Sequence, residues 1–452
     1  MIRTAQDSAS KLASVTALLT VAVLTASSVV AGEPVHRDAT HTQTASLKTV
    51  GQPSHRNPSV SPEWFERQLP DADLARFVAE RYSEHHRLQR ADMLAIFAMV
   101  VESGTVDDEQ LETLRRIVDN AGRLGMATNV ADLAHKVVFG DPANAHFQGE
   151  PLGNLNDAPS AETLDKLVKK WFLGQDLPKI PAKYHYVKAA GKLFDGPAKL
   201  TDLHQGELGD CYFIATLGEV ALRDPQQISR IFIDNHDGTV TVRFMNKNKP
   251  YYVTVDRQLP VDSTGRFVYE NRGDLPNNPK NILWVALAEK ALAQLNESGW
   301  LKTAGKSGEN SLTEIGAGGR SQLAVSLVTG QATNRDDLKS IGSFAKGELE
   351  IANSKKEVPN FLVPHHSYVV VDYNADRGEV TLFNPWGLHG NKKDIKYGQF
   401  TMSWTDFWAD FQNIDHAQHH LAAGGGAAKK IADNLPTPKA EANPVGAIAA
   451  AQ

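Results

Sequence analysis

The chain contains almost no cysteine: Cys211 is the only one in 452 residues. A single thiol cannot form a disulfide within the chain, so the sequence holds no disulfide framework. It also has no basic excess, because 47 Lys and Arg residues stand against 53 Asp and Glu residues, giving a formal net charge of -6. This balance gives no indication of binding to nucleic acid or to an anionic membrane. With 41% hydrophobic residues, the composition is that of a globular protein of two or three domains.

The N-terminus contains a long uncharged segment from residue 12 to residue 32. Arg3 and Lys11 precede it, and it ends in small residues. This pattern predicts a signal peptide over residues 1–32 and an exported protein, secreted or periplasmic, with no membrane association after cleavage. An uncleaved membrane anchor is the alternative, although many Ser, Thr and Ala residues make the segment weakly hydrophobic for a span. Cysteines in an oxidising compartment are normally paired, so an unpaired Cys211 indicates a chemical role.

Composition and periodicity divide the remainder of the chain into five parts. Helical apolar spacing recurs before residue 140, whereas strand-like runs and buried helices alternate after residue 180. The parts are a flexible linker (33–60), an all-helical domain (61–140), a connecting segment (141–180), a main domain (181–420) and a disordered tail (421–452). The helices predicted before the main domain are 72–84, 90–102, 107–124, 130–138 and 161–173.

Cys211 stands where a glycine-bearing turn meets the start of an apolar helix, in the run QGELGDCYF from residue 205 to residue 213. A thiol at a helix N-terminus meets unpaired backbone N–H groups and the positive end of the helix dipole, and both favour the thiolate. The alternative is a buried cysteine that acts as a small hydrophobic side chain. Partners of the right type downstream, His366 and Asn384, favour a nucleophile.

The segments 368–373 and 379–383 have the pattern of two strands joined by a turn, so they predict an antiparallel hairpin. A turn centred near Ala375 places His366 opposite Asn384 at the open end, with Cβ atoms about 5 Å apart. An amide there would accept from one imidazole nitrogen and leave the other free to face a thiol. A register shifted by two residues would place Trp386 opposite His366 instead.

Five separated motifs, in this order, resemble the calpain-type, papain-like cysteine protease core over about residues 185–415. They are TDLHQGELGDCYFIA (201–215), WVALAEK (284–290), HSY (366–368), NPWG (384–387) and GQFTMSWTDFWADF (398–411). The resemblance implies an α+β fold with a papain-like, two-lobed core that follows the small all-α domain. A helical lobe over 181–320 would carry Cys211, and a β-rich lobe over 321–420 would carry His366 and Asn384.

The same resemblance implies a cysteine-type endopeptidase that acts on proteins or peptides. It implies Cys211 as nucleophile, His366 as general base and then acid, Asn384 as the residue that orients His366, and Gln205 as an oxyanion-hole donor. Trp386 is expected to cover the bond between His366 and Asn384. No cofactor is required by these roles.

Calcium is implied only weakly by the resemblance. Asp202 matches a calcium ligand of the family, but no acidic partner aligns with it, and a hard cation needs several oxygen ligands.

Three positions depart from the family pattern: Tyr212 replaces a tryptophan, His204 replaces a cysteine, and His365 replaces the glycine before the catalytic histidine. Two other functions use the same residues or the same cleft. One is a transglutaminase-like acyl transferase, in which an amine replaces water, and the other is a catalytically silent peptide-binding module. The sequence does not indicate an oligomeric state.

Overall fold

The computed structural model describes residues 60–301, 308–337, 349–388 and 397–417. The predicted signal peptide, nearly all of the predicted linker and the predicted tail lie outside these residues. No helix within the described ranges is both long enough and apolar enough to cross a membrane.

The segment before residue 180 is mainly helical. Its helices are α1 (Pro62–Gln68), α2 (Ala72–His85), α3 (Arg90–Glu102), α4 (Asp108–Asp119), α5 (Thr128–Val138) and α6 (Ala161–Trp171), and strands β1 (His146–Phe147) and β2 (Glu150–Pro151) form a small hairpin. Reciprocal capping between Asp107 and Gln110 begins α4. The helix ends at Asp119, five residues before the predicted end, because the Asn120 side chain donates back to the carbonyl of Arg116.

These helices share one hydrophobic cluster with the first half of the main domain. A buried lysine reinforces the contact, since Lys136 Nζ in α5 donates to the carbonyl of Tyr252 at 2.6 Å. All described residues belong to one compact unit. The domain boundaries near residues 140 and 180 therefore stay predictions.

The first half of the main domain combines helices with two small antiparallel sheets. Its elements are β3 (His185–Lys188), α7 (Cys211–Arg223), α8 (Pro225–Ile231), β4 (Phe232–Asp234), β5 (Thr239–Asn246), β6 (Lys249–Asp256), β7 (Gln258–Val261), α9 (Trp284–Asn296) and α10 (Leu312–Ile315). Strands β4, β5 and β6 form one sheet, and β3 pairs with β7. All residues of α9 are buried, in agreement with its apolar sequence.

The second half is built on a six-stranded antiparallel sheet in the order β12-β11-β10-β9-β13-β8. Its elements are α11 (Ser321–Thr329), β8 (Thr333–Asp337), β9 (Glu350–Ser354), β10 (Ser367–Asn374), β11 (Glu379–Asn384), β12 (Gly398–Ser403), α12 (Trp404–Asp410) and β13 (Phe411–Ala417). Helix α7 packs against β10 and β9. A second apolar cluster, which includes Tyr368, Leu382 and Phe407, lies within this half. The sheet thereby fixes β10 and β11 beside the helix that begins at Cys211.

The predicted register of the β10–β11 hairpin is wrong by two residues. Val369 pairs with Phe383, and the pairing shifts between Val370 and Asp372. Extended to the open end, this register places Trp386 across from His366. The cause is the position of the turn: Asn374 pairs with Glu379, so the turn is centred between Asp376 and Arg377 and not near Ala375. The extra residue of the β-bulge then moves the pairing back by one residue.

Candidate active site

Cys211 is the first residue of α7 and is partly exposed. The carbonyl of Asp210 accepts from the N–H groups of Phe213 and Ile214, which starts the helix immediately before the thiol. Gly209 is required in this turn, because a Cβ there would lie 2.5 Å from the carbonyl oxygen of Gly316. A tight glycine turn followed by a buried helix therefore holds the thiol in place.

Cys211 and His366 line the same cleft, whose volume is about 530 Å³. One wall consists of residues 205–209, 211–212 and 318–320, and the other includes residues 363–367 and Trp386. The two walls come from stretches of chain that are far apart in sequence. The cleft therefore brings together the thiol and the imidazole that the motifs single out.

His366 is buried immediately before β10. Its N–H donates to Ser354 Oγ at 2.9 Å, and its carbonyl accepts from the Ser354 N–H at 2.9 Å. Its Nε2 lies 2.9 Å from Asn384 Oδ1. Because Asn384 Oδ1 also accepts from the N–H of Trp386 at 3.0 Å, this oxygen is an acceptor and His366 Nε2 carries the hydrogen. In the neutral imidazole, Nδ1 is then the basic nitrogen.

The indole of Trp386 lies against His366, with 5.4 Å between the ring centroids. Asn384 is fully buried beneath it. Gly387 turns the chain after the tryptophan at φ +78°, where a Cβ would lie 2.1 Å from the carbonyl oxygen of Leu203. The bond between His366 and Asn384 is thus shielded from water, which would otherwise compete for it.

Burial favours the neutral forms of both reacting groups. It lowers the pKa of His366 to about 4, against the opposing effect of the hydrogen bond with Asn384. Burial also raises the pKa of the Cys211 thiol, and the carboxyl of Asp210 adds to this effect, while Ser367 opposes it through its backbone and hydroxyl. The expected thiolate is therefore not the favoured form here, because desolvation outweighs the helix N-terminus. Among the described residues, no hydrogen bond joins the thiol to the imidazole.

Gln205 is buried in the cleft wall opposite His366. Its backbone N–H donates to the carbonyl of Pro385 at 3.0 Å, which links the two walls. Its Nε2 donates to the carbonyl of Leu208 at 2.9 Å and to Asp210 Oδ1 at 3.0 Å. Both amide hydrogens are engaged, so binding of an oxyanion by Gln205 requires the release of one acceptor.

The sequence interpretation missed Ser354 and Asp210. Ser354 lies in β9, a polar strand that gives no apolar signal. Asp210 was visible beside Cys211, but its contact with Gln205 depends on the turn geometry.

Asp202, the candidate calcium ligand, is engaged in hydrogen bonds within the protein. Its Oδ2 accepts from the N–H of Lys199 at 3.0 Å and from the indole of Trp284 at 2.9 Å. Within the described ranges, no group of three or more His, Cys, Asp or Glu residues is arranged to hold a metal ion. The residues around Asp202 therefore do not fit calcium, which needs several free oxygen ligands.

The protein has a mixed α/β fold, a cysteine and a histidine on one cleft, and a buried asparagine bonded to that histidine. These features are typical of enzymes that use a cysteine as nucleophile. The chain belongs to the calpain family of cysteine proteases. The sequence model of this family matches residues 182–418, which is more than half of the chain.

Curated relatives agree with this assignment. The chain is 24% identical to calpain-type cysteine protease ADL1 of Oryza sativa subsp. japonica over 55% of this chain and 13% of the relative. It is 28% identical to Calpain-14 of Homo sapiens over 47% of this chain and 33% of the relative. It is 26% identical to Calpain-13 of Rattus norvegicus over 57% of this chain and 43% of the relative. The chain spans less than half the length of each of these relatives.

Proposed function

We propose that the protein is an exported cysteine endopeptidase that hydrolyses peptide bonds in proteins or peptides. The observation that carries the proposal is the bond between His366 Nε2 and Asn384 Oδ1, on the cleft that also contains Cys211. This hydrogen bond fixes the imidazole tautomer in which His366 Nδ1 can accept the proton of the Cys211 thiol.

The reaction starts from a neutral thiol and a neutral imidazole. When a substrate enters, His366 Nδ1 takes the proton of Cys211, and the resulting thiolate attacks the peptide carbonyl carbon. The N–H of Cys211 at the start of α7 and the released amide of Gln205 stabilise the oxyanion. His366 then gives its proton to the departing amine, which leaves a thioester on Cys211. Water, deprotonated by His366, attacks the thioester, and the bond between the carbonyl carbon and the sulfur breaks. The acid leaves, and His366 returns the proton to the Cys211 thiolate.

The papain-like arrangement of two lobes belongs to the same proposal. The division of the cleft walls supports it, since one wall precedes residue 321 and most of the other follows it. None of the described residues of α1–α6 lines the cleft.

Labelling with an electrophilic peptide tests the function. We expect the wild-type protein to be labelled once, at Cys211, and to cleave peptides from a diverse library. Labelling and cleavage should both be lost in Cys211→Ala and His366→Ala, but not in the matched control His236→Ala, which changes an exposed histidine.

Three results would contradict the proposal. Labelling that survives Cys211→Ala excludes this nucleophile. Labelling without cleavage, with incorporation of an added amine, identifies the acyl transferase. Binding of peptides without labelling identifies the silent binding module.

Export is tested separately. We expect the mature N-terminus, sequenced from the protein in the periplasm or medium, to lie close to residue 32. A full-length protein recovered from the membrane fraction identifies an uncleaved anchor.

A further inference from the structure

Two buried carboxyl groups, Asp210 and Glu289, meet below the nucleophile. Their exposed fractions are 0% and 3%, and the two side chains lie within hydrogen-bonding range of each other. No N–H or hydroxyl group of the described residues donates to Asp210 Oδ2 or to Glu289 Oε1. Two carboxylates so close cannot both be ionised, and a hydrogen bond between them requires one proton.

We propose that Asp210 and Glu289 share one proton, and that this acid pair positions Gln205 and the turn before Cys211. The inference rests on the proposed function, because Gln205 is assigned there to the oxyanion. It makes Asp210 and Glu289 positioning residues that act through Gln205.

Hydrogen bonds connect the acid pair to the loop that carries Gln205. Asp210 Oδ1 accepts from Gln205 Nε2 at 3.0 Å. Glu289 Oε2 accepts from the N–H of Glu270 at 3.3 Å, and Glu270 Oε1 accepts from the N–H of His204 at 2.5 Å. The buried helix α9 therefore holds both ends of the loop from residue 204 to residue 210. A substitution of Glu289 therefore changes the position of Gln205 through these hydrogen bonds and not through contact with the substrate.

The surroundings favour a proton over a cation as the neutralising charge. No salt bridge reaches Asp210 or Glu289 from the described part of the chain. The titratable groups facing Asp210 are Cys211, Tyr212 and Glu270, and those facing Glu289 are Glu270, Tyr186 and Tyr269. Burial raises the pKa of Asp210 to about 7 and that of Glu289 well above its usual range.

Loss of the shared proton would leave two facing carboxylates inside the protein. Their repulsion would separate Asp210 from Glu289 and disturb the support of Gln205. The alkaline side of the pH profile should therefore contain a contribution from the acid pair.

Two substitutions of Glu289 separate the roles of the proton and of the contact. Glu289→Gln keeps the shape and donates an amide hydrogen to Asp210 at every pH. We expect kcat at pH 7 to stay within about threefold of wild type, with the alkaline limb of kcat/KM shifted to higher pH. Glu289→Leu removes the contact, and we expect kcat to fall by roughly 10²-fold with KM changed less than threefold, the cost of a misplaced oxyanion donor.

Asp210→Asn is the conservative variant on the other side, since its oxygen still accepts from Gln205 and its amide donates to Glu289. It should behave like Glu289→Gln. Glu219→Gln is the matched control, because Glu219 is a buried carboxyl of α7 that pairs with Arg223 away from the cleft. Equal kcat in Glu289→Leu and the control, or a pH profile of Glu289→Gln that superimposes on wild type, would overturn the proposal.

Infrared spectroscopy detects the proton without any turnover. Burial also raises the pKa of Glu219 to about 8 and that of Glu270 well above its usual range, so these acids contribute to the protonated-carboxyl band at pH 7. We expect this band to lose one component in both Glu289→Gln and Asp210→Asn. If wild type cleaves no peptide, the proposed function has failed, while loss of this component still supports the shared proton. A spectrum unchanged by both substitutions refutes the acid pair, whatever the activity.

Discussion

Lys170 and Glu297 form a buried ion pair with 2.7 Å between Nζ and Oε2, which joins α6 to the residue that follows α9. The same ammonium lies 2.5 Å from Asp176 Oδ2. The exposed fraction of the Lys170 side chain is 0%, and that of each acid is 2%. Two buried carboxyl groups therefore share one cation between the connecting segment and the main domain, and burial raises the pKa of Glu297.

Lys170→Met should destabilise the protein strongly, because it leaves Asp176 and Glu297 buried without their cation. We expect the free energy of unfolding to fall by about 3–5 kcal/mol. Urea denaturation measures it. Lys166→Met is the control on the same helix, since Lys166 pairs with Glu162 at the surface and should change little. Identical midpoints for the two variants would show that the buried pair contributes nothing.

A fragment that begins at residue 181 should not fold stably. It lacks Lys170, it lacks the bond from Lys136 to the carbonyl of Tyr252, and it exposes apolar surface that α5 and α6 cover. Circular dichroism and solubility measurements check this, with the chain that begins at residue 60 as the comparison. A soluble, cooperatively folding fragment would instead support the predicted boundary near residue 180.

Asn384→Ala should reduce kcat by roughly 10²-fold with little change in KM. The substitution removes the acceptor for His366 Nε2–H, so the imidazole loses its fixed tautomer and orientation. Steady-state kinetics on one peptide substrate measure the effect. Asn374→Ala, at the far end of β10, is the control. A variant that retains full kcat would refute the orienting role.

Stability should decline as the pH falls from about 6.5 to about 4, and His366 should contribute to this decline. Its pKa is lowered to about 4 in the folded protein, so the unfolded chain binds the proton first. The stabilising contribution is complete above the unfolded pKa and is lost as pH falls toward the folded value. Urea midpoints of wild type and His366→Gln across this range should converge toward the acidic end. A constant difference would mean that the imidazole does not titrate in this way.

His365→Gly should preserve or raise stability. His365 occupies the left-handed region at φ +49°, where a residue with a Cβ is disfavoured by about 1–2 kcal/mol. Glycine removes this strain but adds freedom to the unfolded chain, which offsets part of the gain. The melting temperature measures the balance, and His365→Ala is the control that keeps the strain. A lower melting temperature for the glycine variant than for the alanine variant would contradict the argument.

The sequence predicted those parts of the fold whose signals are local. Helix α3 has the predicted bounds, because an apolar run starts after the capping pair of Gln89 and Asp92. The hairpin of β10 and β11 was likewise visible as two apolar runs around a turn. Strands β8 and β9 were not predicted, since TNRDD and EIANS are polar. They become strands by pairing, β8 with β13, and β9 with both β10 and β13.

At the candidate site, residue types were visible but their environment was not. The run around Cys211 indicated a helix start, yet the pKa of the thiol depends on burial by segments remote in sequence. The β-bulge near Val371 and the contact of Asp210 with Glu289 likewise depend on tertiary packing. No periodicity encodes such relationships.

Strand β13 lies inside the six-stranded sheet, between β9 and β8, although it is the last described element of the chain. Because β9 pairs with β10 on one side and with β13 on the other, the sheet is complete only after a ribosome has passed residue 417. A translation product that stops before β13 would leave β9 as an open edge and β8 without the strand it pairs with, and such edges promote aggregation.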